Sequence, residues 1–161
     1  MKKLVIPAIM LVMLNACSER KPENINQTKE IEIMEKQDKR QIEHLLTEYK
    51  NSLNTSDAAL SQSLYAKDGV FMPAGAPSAT GSENILKSYE FIFSQIQLNI
   101  EFYIDEIVVD GDFAFATTSS KGTTLIHANG QTVPEENREL FVFEKIDGAW
   151  EIARYMFNKT K

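Results

Sequence analysis

Residues 138–158 read RELFVFEKIDGAWEIARYMFN. In their middle Asp147-Gly148 accepts the positive φ values of a tight hairpin turn, and apolar residues alternate with polar ones on either side. A two-residue turn pairs Ile146 with Ala149. Counting outward sets Phe143 against Ile152, Phe141 against Arg154, Glu139 against Met156 and Asn137 against Asn158. Side chains alternate along a strand, so all of these are expected on one face. Glu139 and Arg154 become diagonal neighbours there, within reach of an ion pair. The face is apolar near the turn and polar at its far end. It suits either the floor of a small-molecule pocket or a core sheet holding one structural ion pair.

Upstream the two-residue period continues. Residues 98–109 and 112–125 make a second pair of strands around Asp110-Gly111, and 127–134 are expected as a polar loop. Earlier still, the period is helical. Ile42, Leu45, Leu46, Tyr49 and Leu53 form one apolar stripe on a helix over about 37–53. Residues 54–57, Asn-Thr-Ser-Asp, break it, and Ser56 or Asp57 can cap a short second helix reaching Leu64 or Tyr65. A short strand over 69–73 ends at Pro73, and a loop rich in Gly, Pro and Ala follows. The third helix is expected over 82–95, with Ile85, Leu86, Tyr89, Ile92 and Phe93 on its apolar side. Helices first and antiparallel strands afterwards make an α+β domain, the helices covering a concave face.

The chain opens with MKKLVIPAIMLVMLNA, residues 1–16, in which two lysines precede an apolar run too short to span a bilayer. This pattern is expected of a secretory signal. Leu14-Asn15-Ala16-Cys17 resembles the bacterial lipobox, which implies that Cys17 is lipidated and becomes the mature N-terminus. Cys17 is the only cysteine, so no intramolecular disulfide forms. Cleavage to a soluble periplasmic protein with a free thiol is the alternative. Ser18 resembles an outer-membrane sorting signal, so a lipid-anchored place in the bacterial cell envelope is expected, at the periplasmic side of the outer membrane or the cell surface. Residues 17–35 are then the modified cysteine and a polar tether, whose Ile31 and Met34 are able to extend the first helix. Residues 36–161 are one domain with one core. The formal net charge is −6, and removing Lys2 and Lys3 makes it more negative. An acidic chain without a basic cluster is unsuited to nucleic acid or anionic head groups, which leaves the anchor as the membrane contact.

Three motifs recur in one order: Leu53-Asn54-x-x-Asp57, Tyr65-Ala66-x-Asp68-Gly69, and Asp147-Gly148-x-Trp150. With the Gly81-Ser82-Glu83 helix start between them, the chain from about 36 to 158 resembles the nuclear-transport-factor-2-like superfamily. Within it, the SnoaL-like domains and relatives of ketosteroid isomerase are closest. The resemblance implies a cone-shaped fold, about three helices on a curved antiparallel sheet, that hosts isomerases, dehydratases, cyclases and pure binding modules. It also implies roles. Tyr49 matches the oxyanion-hole tyrosine, and Glu139 falls at or beside the second donor, an acid that must stay protonated. Arg154 beside Glu139 would favour the ionised form instead. The general-base position, before Pro73, holds Met72, and a thioether abstracts no proton. Ketosteroid isomerisation is therefore not expected.

The candidate ligand-binding residues are Tyr49, Tyr65, Met72, Phe93, Glu139, Phe141, Arg154, Met156 and Asn158, each of which has an ordinary core or surface role as its alternative. His44 and His127 stand far apart in sequence, and with one cysteine they give no metal set. No cofactor motif, nucleophile triad or phosphate loop is present. Two functions follow: a module binding a small, largely apolar molecule or a partner, or a SnoaL-like enzyme using Glu139 or Asp68 as base and Tyr49 as electrophile. Leu140, Val142, Ala153, Tyr155 and Phe157, expected on the opposite face, are too apolar for water and imply a homodimer.

Overall fold

The helical stripe at 42–53 and the aromatic alternation at 138–158 pack against each other, and they set the architecture. The computed structural model describes residues 23–160, with side chains from Gln27 onward. The leader and lipobox, residues 1–17, lie outside the described residues. Helix α1 (Glu23–Asn54) is followed by α2 (Ala58–Ser63), strand β1 (Tyr65–Met72), the two-residue β2 (Ala79–Thr80) and α3 (Ser82–Gln95). Four long strands complete the domain: β3 (Ile96–Asp110), β4 (Phe113–Ile126), β5 (Gln131–Ile146) and β6 (Ala149–Lys159). The sheet is six-stranded, curved and unclosed, in the order β2-β1-β6-β5-β4-β3, with β1 parallel to β6 and the other pairs antiparallel. The expected α+β cone is the observed fold.

Each boundary has a local cause. Asp57 caps α2, its Oδ1 accepting from the Leu60 N–H at 2.9 Å. Asp147 and Gly148 both have positive φ, 51° and 85°, as a type I′ hairpin turn requires. Three boundaries differ from expectation, the first being β1, which begins at Tyr65 rather than at Gly69 because α2 already ends at Ser63. Helix α1 begins at Glu23, so the segment read as a polar tether is helical from there, with Ile31, Ile33 and Met34 exposed. The expected loop at 127–134 shrinks to four residues, because β5 already pairs with β4 at Gln131. Pro134 is tolerated within β5 because pairing with β6 starts only at Asn137, leaving the missing N–H on an open side.

The core lies between α1, α3 and the concave face. Ile42, Leu46, Tyr49, Ile85, Phe141, Phe143 and Ile152 are at most 1 % exposed. The end of α1 is fixed to β3 by Asn54: its Nδ2 donates to the Ile100 carbonyl at 2.8 Å, and its Oδ1 accepts the Ile100 N–H at 2.9 Å. Near the start of the domain, Asp38 Oδ1 accepts from Lys145 Nζ at 2.6 Å and from Trp150 Nε1 at 3.1 Å, tying α1 to the β5–β6 turn.

One irregularity decides which residues face the helices. Beside the turn, β5 and β6 pair as counting from Asp147-Gly148 requires, Ile146 with Ala149 and Phe143 with Ile152. The next pair is Val142 with Arg154, so Ala153 is an extra residue on β6. Such a bulge moves every later side chain to the other face. Phe141 therefore opposes Tyr155, Leu140 opposes Met156, and Glu139 opposes Phe157. Neighbouring β1 is irregular at the same level, its pairing with β6 jumping from Tyr65–Ile152 to Val70–Arg154. Gly69 permits this. A Cβ there would stand 2.9 Å from the Ala66 carbonyl oxygen and 3.1 Å from that of Ile152.

The expected ion pair between Glu139 and Arg154 is thereby corrected. Arg154, Met156 and Asn158 point to the convex side and are exposed. The Arg154 guanidinium instead caps the bulge, Nη1 donating to the Ala153 carbonyl at 2.6 Å and the Asp68 carbonyl at 3.4 Å. The opposite correction applies to Tyr155 and Phe157, which belong to the concave side and pack into the core.

Candidate functional site

Strands β3 to β6 curve around a cavity of about 790 Å³, closed on the helical side by the end of α1, by α3 and by the loop before β2. Its walls are apolar: Leu53, Phe71, Ile92, Leu98, Ile100, Val133 and Phe157. Ala74, Ala76, Pro77 and Ser78, all exposed, line it from the loop. The polar floor comes from alternate positions of β5, where Glu135, Asn137 and Glu139 stand in a row, each 6 % exposed. A period of two brings them to one face, and the pairing with β4 sets Thr124, Ser120 and Thr118 beside them.

Glu135 accepts from Thr124 Oγ1 at 2.9 Å, from Asn137 Nδ2 at 3.0 Å and from Lys159 Nζ at 3.1 Å. Burial by itself would raise its carboxyl, but these three donors and the lysine charge hold it below the usual carboxylate range. Glu139 accepts from the Thr118 hydroxyl. Burial pushes its carboxyl up, the hydroxyls of Thr118, Ser120 and Tyr155 offset part of that, and the charge of Glu135 raises it further. Two acids on one strand thus differ in character, the first a paired carboxylate held low and the second a buried carboxyl pushed up. Asn137 Nδ2 also donates to Ser120 Oγ at 3.2 Å, while its buried Oδ1 has no partner among the described residues.

Above the floor, tyrosine hydroxyls form a buried chain. Tyr89 sits between Tyr49, at 2.5 Å, and Tyr65, at 2.8 Å. Burial raises all three phenols, and Tyr155 with them, so all four stay neutral donors and acceptors at ordinary pH. Tyr155 stacks on Phe141, with ring centroids 4.2 Å apart, and lies edge-on to Tyr49 at 5.3 Å.

Of the expected ligand-binding residues, the structure brings Tyr49 and Glu139 to the cavity lining. Tyr65, Phe93 and Phe141 are buried beside it as core, carrying the tyrosine chain and the ring stack. Met72 is half-buried on β1 and outside the lining. Arg154, Met156 and Asn158 are on the other face. Asp68, expected as an alternative base, is exposed on β1 and outside the lining. The objection that Arg154 would ionise Glu139 falls with the ion pair. Sequence reasoning placed Asn137 on the pocket face but missed its role, and it missed Glu135, Tyr155, Phe157 and Tyr89 as lining. Gly69 on the partner strand was the available signal, since a glycine inside a strand often marks a bulge.

No curated protein sequence matches the chain. Among solved structures, it is similar to a ketosteroid isomerase-like protein of Erwinia carotovora atroseptica, with 30% identity, 74% of this chain and 94% of that one covered, and a TM-score of 0.72. A nuclear transport factor 2 (NTF2-like) superfamily protein of Salmonella enterica serovar Typhimurium shares the fold at 22% identity, with 76% and 91% covered and a TM-score of 0.68. A conserved protein of Planctomyces limnophilus does so at 20% identity, with 76% and 97% covered and a TM-score of 0.65. Residues 42–157, from the α1 stripe to the aromatic end of β6, match the SnoaL-like domain, and the chain belongs to that family.

Proposed function

We propose that this domain is a small-molecule binding module, and that its ligand is largely apolar with one polar end. The cavity supports it most directly: about 790 Å³ of space with apolar walls and a floor of three polar side chains from β5. Such a site suits burial of a drug-sized molecule oriented by a few fixed polar contacts. Nile red, a neutral apolar dye, tests this. Its emission should rise on binding the wild-type protein, and should not rise with Val133→Trp, which fills the cavity, provided that variant keeps a native circular dichroism spectrum. Equal enhancement by both proteins would show that the dye binds elsewhere and would remove the basis for the proposal.

A proton-transferring enzyme is the second reading, favoured by Glu139. If protonated, its carboxyl would form with the nearby Tyr155 phenol a donor pair of the kind that stabilises an oxyanion. The general base such a mechanism needs has no counterpart at Met72 or Asp68, which keeps binding as the preferred function.

The module belongs, in this proposal, to the bacterial envelope, held by a lipid on Cys17, and it pairs through its convex face. The leader-like residues 1–16 and the lipobox-like approach to Cys17 support the first part. The second rests on exposed Tyr103, Phe113, Leu140 and Met156; Leu140 was expected on this face, and Met156 stands there where Tyr155 and Phe157 were expected.

A further inference from the structure

A ladder of parallel rings crosses the sheet beside the cavity. Phe141, Tyr155 and Phe71 are register partners on β5, β6 and β1, and Tyr89 of α3 stacks on Phe71. Successive planes differ by 17°, 4° and 13°, with centroids 4.2, 5.7 and 4.9 Å apart. Register produces this order, because partners on adjacent strands project side by side from one face. All four rings are at most 4 % exposed.

Phe157 continues the ladder but is differently placed. It follows Tyr155 on the same face of β6, tilted 25° from that ring and 21° from Phe71. Each of the four has a stacked neighbour at 4.9 Å or less, whereas Phe157 has none closer than 5.8 Å among the described residues. On β5 its partner is Glu139. On β1 it has none, because pairing ends at Met72 with Met156 and the chain leaves the sheet at Pro73. From there the loop gives the cavity only Pro73, Ala74, Ala76, Pro77 and Ser78, none of them larger than proline. Phe157 itself is half-buried and lines the cavity.

Resting on the small-molecule reading above, we infer that the ligand carries a flat conjugated ring system seated face to face on Phe157, in line with the ladder. Phe157 is then the residue that selects a flat ring over a puckered one of equal size. Stacked aromatic faces attract beyond the area they bury, and the axial hydrogens of a saturated ring hold it off the face. Aliphatic walls such as Leu98, Ile100 and Val133 make no such distinction.

Isothermal titration with 2-naphthalenemethanol and decahydro-2-naphthalenemethanol tests this. The two share a two-ring body and one hydroxyl, and the saturated compound is the more apolar, so burial alone favours it. Stacking should reverse that order, the naphthyl compound binding about threefold to tenfold tighter. Phe157→Leu, which keeps an apolar side chain without a ring, should bring the ratio to one or below, and Phe157→Tyr should keep it. Phe91→Leu removes an exposed ring of the lining outside the ladder and should leave the ratio as it is. The wild-type ratio decides by itself should Phe157→Leu fail to fold. Equal affinities in the wild type, or a preference for the saturated compound, would overturn the inference while Nile red binding kept the pocket reading intact. A naphthyl preference that survives Phe157→Leu, that is lost with Phe91→Leu, or that persists in Val133→Trp would place the ring elsewhere and overturn it as well. Failure of Nile red and of both naphthalene-derived compounds to bind would remove the pocket reading itself.

Discussion

Replacing Tyr155 by Ala, and separately its neighbours Arg154 by Met and Met156 by Ala, tests the bulge on which the site depends. Tyr155 is 4 % exposed and meets four rings: Phe141 at 4.2 Å, Tyr49 at 5.3 Å, Phe71 at 5.7 Å and Phe157 at 5.8 Å. Truncating a buried aromatic costs about 3–5 kcal/mol, and four aromatic neighbours place this one towards the upper end, near 4–5 kcal/mol. Met156 is 38 % exposed on the convex side, and among the described residues Arg154 bonds only to backbone carbonyls there, so each replacement should cost under about 1 kcal/mol. Uninterrupted alternation predicts the reverse. Arg154 would then be half of a buried ion pair with Glu139, and Arg154→Met would cost about 3–5 kcal/mol. Equilibrium urea unfolding of the three variants separates the cases. Arg154→Met as damaging as Tyr155→Ala would refute the bulge, and with it the placement of Tyr155 and Phe157 at the cavity.

Glu139→Gln should raise stability at neutral pH. A carboxyl raised in the folded state contributes stability fully present below its unfolded value, about 4.3, and lost as pH rises through its folded value, so wild type and variant should converge on acidification; urea midpoints that diverge towards low pH would contradict this. Cys17→Ala should abolish incorporation of a fatty-acid analogue and release the protein from the membrane fraction, and an unlabelled wild type would disprove the lipid anchor. Sedimentation at micromolar concentration should give a dimer that Leu140→Glu with Met156→Glu, paired neighbours on the convex face, converts to a folded monomer; a monomeric wild type would exclude that interface.

The fold was legible because its signals are local. The stripe on α1, the Asp57 cap, the span of α3 and the Asp147-Gly148 turn each depend on a few adjacent residues. Leu53-Asn54-x-x-Asp57 resembled a family motif before its use was visible: Asn54 bonds the backbone of β3, and Asp57 starts α2. The site was legible only in part, because its membership turns on Ala153. Register counted from the turn holds as far as Ile152 and then slips by one, for a reason that lies on another strand, where Gly69 lets β1 close on the Ile152 carbonyl. Nothing within 138–158 announces that slip. Glu135 escaped notice for a different reason: Pro134 reads as a strand breaker unless it is known that β6 stops short of it.

The strand order places β6 between β1 and β5, although β1 precedes it by most of the domain's length. During synthesis β1 therefore emerges long before the neighbour it needs, and the sheet cannot be completed until β6 has been made. Only then can Tyr155 enter the ring stack beside Tyr49 and Phe71. The rewarding contacts are among the most distant in sequence, so folding waits on the last strand. A chain ending before Ala149 would expose the edges of β1 and β5 together, and it should be found in aggregates rather than as a smaller folded domain.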